Sequence, residues 1–504
     1  MRPARHALLK HRAPVGCVSL AAAVLAAGCT QTPVVATRDP ITLRFGVASP
    51  KTSLTSSGVR GFIGNLLQEP LIGMGWDGRP YARIATPAVS ADGLTLDLQL
   101  RDNLQFHDGT PVDARYIKAD LERIFKDSSY DSYRSVVAVQ AVENNLVRVT
   151  LARREALMLS DLSNASVTHN KDPDIGLGPF KLITRTPMTR LAAFDRYYRG
   201  RPSVDFVEIS EYEEQRTAWA AFMRDQIDAV HEISPEVVEF IGGQGGAARK
   251  FEFTGPYYIM LLFNVRSSIL KSAAVRQALS YAVDRQAIID DSLNNQGVVA
   301  EGPIWPFHWA YSTAQKTYNH NSEAATIHLD SAGFPMKPAR KLGQMPGRFT
   351  LRCLTIAREA RFEKIALVLQ KQLYDVGIDL QIEALPADEA FKRFGTGDFD
   401  TFLVQRASGR SLGWTYSTFY STKIPIGYSA ADKVLERLRS TTTDAEVIAA
   451  VSDLQQVFHD DPPAIFIAWP KVTRAVSAKF EVREESGRDI LGTLPQWRLA
   501  EPRR

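Results

Sequence analysis

Cysteine is scarce, charge is nearly balanced, and long apolar runs are missing. Three cysteines (Cys17, Cys29 and Cys353) in 504 residues are too few for a disulfide framework or a thiolate metal cluster. Lys and Arg number 60 against 56 Asp and Glu, a formal charge of +4. No Lys/Arg-rich stripe supplies the footprint that a phosphate backbone demands, so no nucleic-acid partner is expected. No stretch reaches the ~18 consecutive apolar residues of a membrane-spanning helix. The histidines form no H-E-x-x-H pattern and no close pair at ligand spacing, and no Walker-type phosphate loop occurs. Neither a resident metal nor a cofactor is therefore expected. What is present is 45% hydrophobic and 23% charged residues, enough for a large core, and the length suits two or three domain-sized units or one large architecture with insertions.

Four positive residues (Arg2, Arg5, Lys10, Arg12) and no acidic ones open the chain, followed by an apolar run from Val15 to Ala27. That is the layout of an export signal, too short to span a bilayer. Without those four charges the remaining chain is neutral. The run ends in Leu25-Ala26-Ala27-Gly28-Cys29, which resembles the lipobox of bacterial lipoproteins, with Ala26 where Leu is commonest. Residues 1–28 then form the signal and Cys29 is the lipidated first residue. The alternative is an ordinary cysteine near a conventional cleavage site. Residues 29–40 read as a tether, whose TQTPVVATRDP stretch reaches at most ~40 Å. Cys353 is left as a lone thiol, expected to be buried.

From residue 41 strand and helix signals alternate, which places the chain in the α/β class. Leu94, Leu96, Leu98 and Leu100 follow the period of a half-buried strand. Thr110 can cap the next helix and Pro111 suits its first position, with Ile117, Leu121, Ile124 and Phe125 on one face. Ile259 to Phe263 is an apolar strand, and Val275, Leu279, Ala282 and Val283 mark a helix after it. Phe362, Ile365, Ala366, Leu369, Leu373 and Val376 form a stripe that Gly377 ends, and Ile378, Leu380 and Ile382 alternate as the next strand. A last helix carries Val447, Ala450, Val451, Leu454, Val457 and Phe458.

Several short stretches occur in a distinctive order. They run Leu66-Leu67-Gln68-Glu69-Pro70, Asp77-Gly78-Arg79-Pro80, Ser90-Ala91-Asp92-Gly93, Phe106-His107-Asp108-Gly109-Thr110-Pro111, Gly176-Leu177-Gly178-Pro179-Phe180, Asp195-Arg196-Tyr197-Tyr198, Phe263-Asn264, Val275-Arg276-Gln277-Ala278-Leu279, Asp284-Arg285 and Asp461-Pro462-Pro463-Ala464. In this order, over residues 41 to 480, the chain resembles the family 5 extracellular solute-binding proteins, the capturing subunits of ABC importers for peptides, nickel chelates and similar solutes. The resemblance implies a two-lobed periplasmic-binding-protein-like clamp with an extra subdomain in the first lobe. Residues 41–263 and 475–504 would make lobe one, with the subdomain at about 61–175, and residues 264–474 would make lobe two. It also implies a small-molecule or peptide ligand, permease and ATPase partners, no catalysis, and an exported, lipid-anchored monomer. Most of the motifs read as structural: His107-Asp108-Gly109 in turn and capping roles, Asp284-Arg285 as a helix end or cap with surface ion pairing.

Peptide-binding members of this family carry, after a strand resembling Phe399 to Val404, a Trp and then an Asp that pairs with the peptide amine. Here those slots fall on Arg406 and Gly409, and Arg410 follows. The resemblance therefore points away from an amine contact and towards an anionic solute, because a guanidinium presents a planar fork to carboxylates and phosphates. The two arginines could instead pair with acidic residues across the cleft. Trp414, Tyr257 and Tyr258 are candidate flat walls and equally good core residues, and Asn264 could bond backbone or touch ligand. Gly409-Arg410-Ser411-Leu412-Gly413 also imitates the nucleophile elbow of serine hydrolases. That chemistry needs a helix directly after Ser411, and Trp414 to Tyr420 is a poor helix start. A sensing module that reuses the fold without an importer is the remaining alternative.

Overall fold

The alternation at Thr95–Leu100 buries Leu96, Leu98 and Leu100. In the computed structural model the described residues are 38–48, 59–128, 130–170, 172–234, 237, 248–338, 347–357, 359–408, 410–485 and 487–501. The expected signal and Cys29 lie outside them. Thr95–Leu100 belongs to a four-stranded antiparallel sheet with Ala85–Val89, Leu146–Leu151 and Val136–Glu143, and the helix Ala114–Asp127 buries Ile117 and Leu121 against it. This sheet, this helix and the segment Met158–Leu162 share one apolar core.

A twelve-stranded sheet holds the rest together, and its central member is the 14-residue strand Ala464–Ser477. The second half of that strand pairs antiparallel with Ala248–Thr254, and through Ala229–Val230 it meets Thr42–Ala48, Phe206–Tyr212 and the hairpin Phe180–Thr184/Thr189–Ala193. Its first half pairs with Tyr257–Phe263, and the sheet continues through Thr401–Ala407, Phe349–Ile356 and Ile378–Leu385. The two halves serve two separate apolar cores. One contains Phe45, Phe62, Val207, Val476 and Trp497. The other contains Phe263, Leu279, Cys353, Leu369, Leu403, Leu454 and Trp469.

The helical stripes pack as their spacing requires. Ala360–Asp375 buries Phe362, Ile365, Ala366, Leu369 and Leu373, and Gly377 reverses the chain at φ +83° into Ile378–Leu385. Asp444–Asp460 opens on a capping box between Thr443 and Glu446. Cys353 is fully buried, and that burial pushes its thiol up to about 11.

Three local expectations are corrected. Asp113, not Thr110, caps Ala114–Asp127 by accepting the Tyr116 N–H, because Asp108 has already bound Thr110 in the preceding turn. Asp284 caps the helix Arg285–Leu293, as expected, but Arg285 makes no surface ion pair among the described residues. It is buried and donates to the carbonyls of Phe466 (2.8 Å), Tyr318 (2.9 Å) and Ser280 (3.3 Å). A helix does follow Ser411: Leu412–Phe419 forms because Ser411 is a good N-cap and the aromatic face is buried, so packing outweighs weak propensity.

That helix rests on the segment Met158–Leu162, where a Cβ on Gly413 would stand 2.5 Å from the Asp161 carboxylate. Asp161 accepts a 2.5 Å bond from Ser132, and burial pushes its carboxyl up to about 7, with Glu155 and Asp131 adding to the rise and Arg439 opposing it. A folded pKa above the ordinary 3.8 gives a contribution that is present in full below 3.8 and lost as the pH rises through 7. Asp161→Asn removes that loss. The stability of the variant relative to wild type should rise steadily between pH 4 and pH 7 and stand roughly 2–4 kcal/mol higher at pH 8 than at pH 4, at ~1.4 kcal/mol per pKa unit, with the Tm difference following. A pH series of melting curves checks it; equal Tm differences at both pH values would be the wrong result.

Candidate functional site

The strand Thr401–Ala407 lies antiparallel to Tyr257–Phe263 with Arg406 opposite Tyr258 and Ala407 opposite Tyr257. Both strands end where Gly255 and Pro470 carry the chain between the two cores. Beyond Ala407 the Ser408 N–H is held by the Pro256 carbonyl (2.8 Å) and the Ser411 N–H by the Ser408 carbonyl (3.0 Å). Between them Arg410 takes left-handed backbone, φ +60°. Ser411 then caps the helix by accepting the Gly413 N–H (3.1 Å). Its hydroxyl is thus used at the cap and the residue is buried, and no histidine contacts it among the described residues.

The Arg406 side chain is half-buried and makes no hydrogen bond or ion pair among the described residues. Arg410 is similarly placed, its guanidinium 5.2 Å from the ring centre of Trp76 and 5.9 Å from that of Trp305. Trp305 packs edge-on against Trp469 (5.3 Å), and Trp469 against Tyr258 (5.1 Å). A run of aromatic rings therefore links the Arg410 end of the site to the floor beneath Arg406. Tyr258 is that floor: it is fully buried between Phe466 and Trp469. Trp414 is half-buried, and its indole N–H has no acceptor among the described residues. Tyr257 is half-buried in the field of Glu232, Arg361, Arg474 and Asp489, and burial pushes its phenol up.

The first core faces this site with Arg474, which forks onto Asp489 (2.7 Å to each oxygen) and also donates to the His231 carbonyl. Burial works against the Asp489 charge, yet Arg474 holds its carboxyl below the ordinary range. His231 is pushed down to about 3 by burial and by Arg474, so it stays neutral.

Asn264 stands apart. It lies at the far end of the strand, about 23 Å from Tyr257 at ~3.3 Å per residue. Its amide donates to the carbonyls of Phe399 (2.8 Å) and Gly397 (3.0 Å), and its oxygen accepts the Arg266 N–H (3.2 Å). Trp76, Trp305 and Asp489 were missed in the sequence. Asp77-Gly78-Arg79-Pro80 is one of the stretches that carry the resemblance, but nothing in it showed that Trp76 would reach Trp305, 229 residues on. Among the described residues no group of three or more His, Cys, Asp or Glu could hold a metal ion, and no helix is long and apolar enough to cross a membrane.

The family model for bacterial extracellular solute-binding proteins, family 5 middle, matches residues 79–425. The chain is 23% identical to a glutathione-binding protein of Pectobacterium atrosepticum, with 78% of this chain and 80% of the relative covered. It is 24% identical to a dipeptide-binding protein of Escherichia coli, covering 77% and 80%. Its fold matches that of NikA from Brucella suis in complex with Fe(III)-EDTA at a TM-score of 0.80 and 20% identity, over 92% of this chain and 100% of that one. The agropinic-acid complex of AgaA from Agrobacterium matches at 0.73 and 23% identity, over 92% and 99%.

The geometry separates Asn264 from the arginines experimentally. Asn264→Ala strands two buried carbonyls, so it should lower stability by about 2–4 kcal/mol in a denaturant titration. Solute affinity of the folded fraction should not change. A variant of wild-type stability with weakened binding would place Asn264 in the site after all.

Proposed function

The chain belongs to the bacterial extracellular solute-binding proteins of family 5, and from that premise we propose that it captures a peptide-like or other anionic small solute between its two cores and hands it to an ABC permease. The observation that carries the reading is a pair of arginines, Arg406 and Arg410, whose side chains are unpaired among the described residues and lie beside aromatic rings at the junction of two cores. In this reading residues 41–263 and 475–504 form one lobe and 264–474 the other, and closure on the solute shifts an open–closed equilibrium only as far as the solute prefers the closed form. The relatives named for glutathione and dipeptides, and the neighbours with a metal chelate and agropinic acid, all have ligands bearing carboxylates, which suits a cationic site. Arg406, Arg410, Trp414 and Tyr257 are the ligand contacts, with Tyr258 beneath them. The protein does no chemistry on the solute. ATP hydrolysis belongs to a partner subunit.

Native mass spectrometry of the purified protein should reveal a retained small molecule. Arg406→Ala should then weaken binding of that solute by about 10- to 150-fold, the worth of one charge-assisted bond of roughly 1.5–3 kcal/mol. Arg406→Lys should recover only part, because an ammonium lacks the bidentate fork. Calorimetry reads both, and undiminished affinity in Arg406→Ala would remove that residue from the site.

The family is extracellular, and we assign the anchor to Cys29. Cys29→Ala should be exported and released from the membrane fraction, since acyl chains contribute ~0.8 kcal/mol per buried methylene. Continued sedimentation with membranes would show another anchor.

A further inference from the structure

Five non-glycine residues among those described have left-handed backbone: Asn103, Asp225, Asn294, Asn295 and Arg410. Four are Asn or Asp, whose short side chains tolerate that region, and Arg410 is the exception. Glycine would sit at φ +60° without strain. The arginine carries further costs. Its Nε is buried without an acceptor, and its guanidinium makes no hydrogen bond or ion pair among the described residues. Burial pulls its pKa down, and Asp489, the carboxylate that opposes this, is already forked onto Arg474. What it gains is the faces of Trp76 and Trp305.

The surroundings hold this side chain in place. The Trp305 indole donates to the Trp76 carbonyl (2.7 Å), and the Trp309 N–H to that of Asp77 (2.9 Å). Gly78, at φ +77°, is pressed so closely that a Cβ would stand 2.3 Å from the His308 ring and 2.7 Å from the Arg410 carbonyl oxygen. Trp76 also approaches Gly487, so the ring beside Arg410 meets segments of both cores. A second donor in this segment, the Trp414 indole N–H, is likewise buried without an acceptor. A strained, desolvated and unpaired cation, where glycine would be the relaxed choice, is kept for what its side chain does.

We propose that Arg410 is the anion reader of the cleft: framed by Trp76 and Trp305, its guanidinium takes a carboxylate or similar planar oxyanion of the solute. This rests on the cleft being the solute site, but its test does not need the solute. Iodide, an anionic quencher of tryptophan, is compared with neutral acrylamide on the same protein, because Arg410 should concentrate anions beside the half-buried Trp76. In Arg410→Gly the iodide-to-acrylamide ratio of quenching constants should fall by up to about twofold, while Tm holds or rises. Arg410→Asn, which also tolerates left-handed backbone, should behave alike. A ratio unchanged in both variants would overturn the proposal, as would a clear fall in Tm in both, since Arg410 would then be structural. Failure of the solute-binding reading shows elsewhere, in a purified protein that retains no molecule.

Discussion

One strand makes the molecule possible. Ala464–Ser477 runs through both halves of the large sheet, and only the short connection Thr254 to Tyr257 runs beside it. At the crossing the Pro470 carbonyl accepts the Gly255 N–H (2.9 Å), and the Lys471 N–H turns to the Gln296 carbonyl (3.1 Å). Proline has no N–H to commit there, so the ladder is thinnest where the two cores meet. Two strands side by side resist shear yet allow bending, the property a closing clamp needs. The position of Arg406 follows from the same strand: Thr401–Ala407 pairs with Tyr257–Phe263, which pairs with Ala464–Ser477.

Arginines elsewhere in the second core show what a structural guanidinium looks like. Arg276 bonds the Pro462 carbonyl (2.9 Å), the Leu270 carbonyl and Asp461. Arg348 bonds the Val376 carbonyl (2.9 Å), the Phe334 carbonyl and Asp330. Arg285 is spent on three carbonyls. Each ties segments distant in sequence and leaves few donors idle, as burial of a cation requires. Arg406 and Arg410 do neither. Among the described residues neither the Arg406 nor the Arg410 guanidinium makes a hydrogen bond or ion pair, and the proposed solute contacts rest on that contrast.

Much of this was legible in the chain, and the losses have definite causes. Period-2 and period-3.6 patterns located Thr95–Leu100, Ala360–Asp375 and Asp444–Asp460, since burial of one face dominates such elements. Caps were less legible: Thr110 and Asp113 are both competent, and only the turn at Asp108 decides between them. The helix after Ser411 was missed because propensity argued against it, while its stability comes from burying Leu412, Tyr416 and Phe419. Arg285 looked like a surface charge because its three partners are carbonyls, which carry no residue signature. Trp76 and Trp305 could not be paired by any local pattern.

The Arg410 segment joins a fixed frame to free side chains. Its main chain is tied by hydrogen bonds of the Ser408 N–H to the Pro256 carbonyl, of the Ser411 N–H to the Ser408 carbonyl and of the Gly413 N–H to the Ser411 hydroxyl. Three such bonds leave the backbone little room to follow a change of side chain. A connection built this way can exchange one side chain for another without moving the strands behind it or the helix ahead of it. A change of side chain here can then leave the strand crossing and both cores as they are, and solved structures that share this fold at about a fifth identity hold a nonapeptide, Fe(III)-EDTA and agropinic acid.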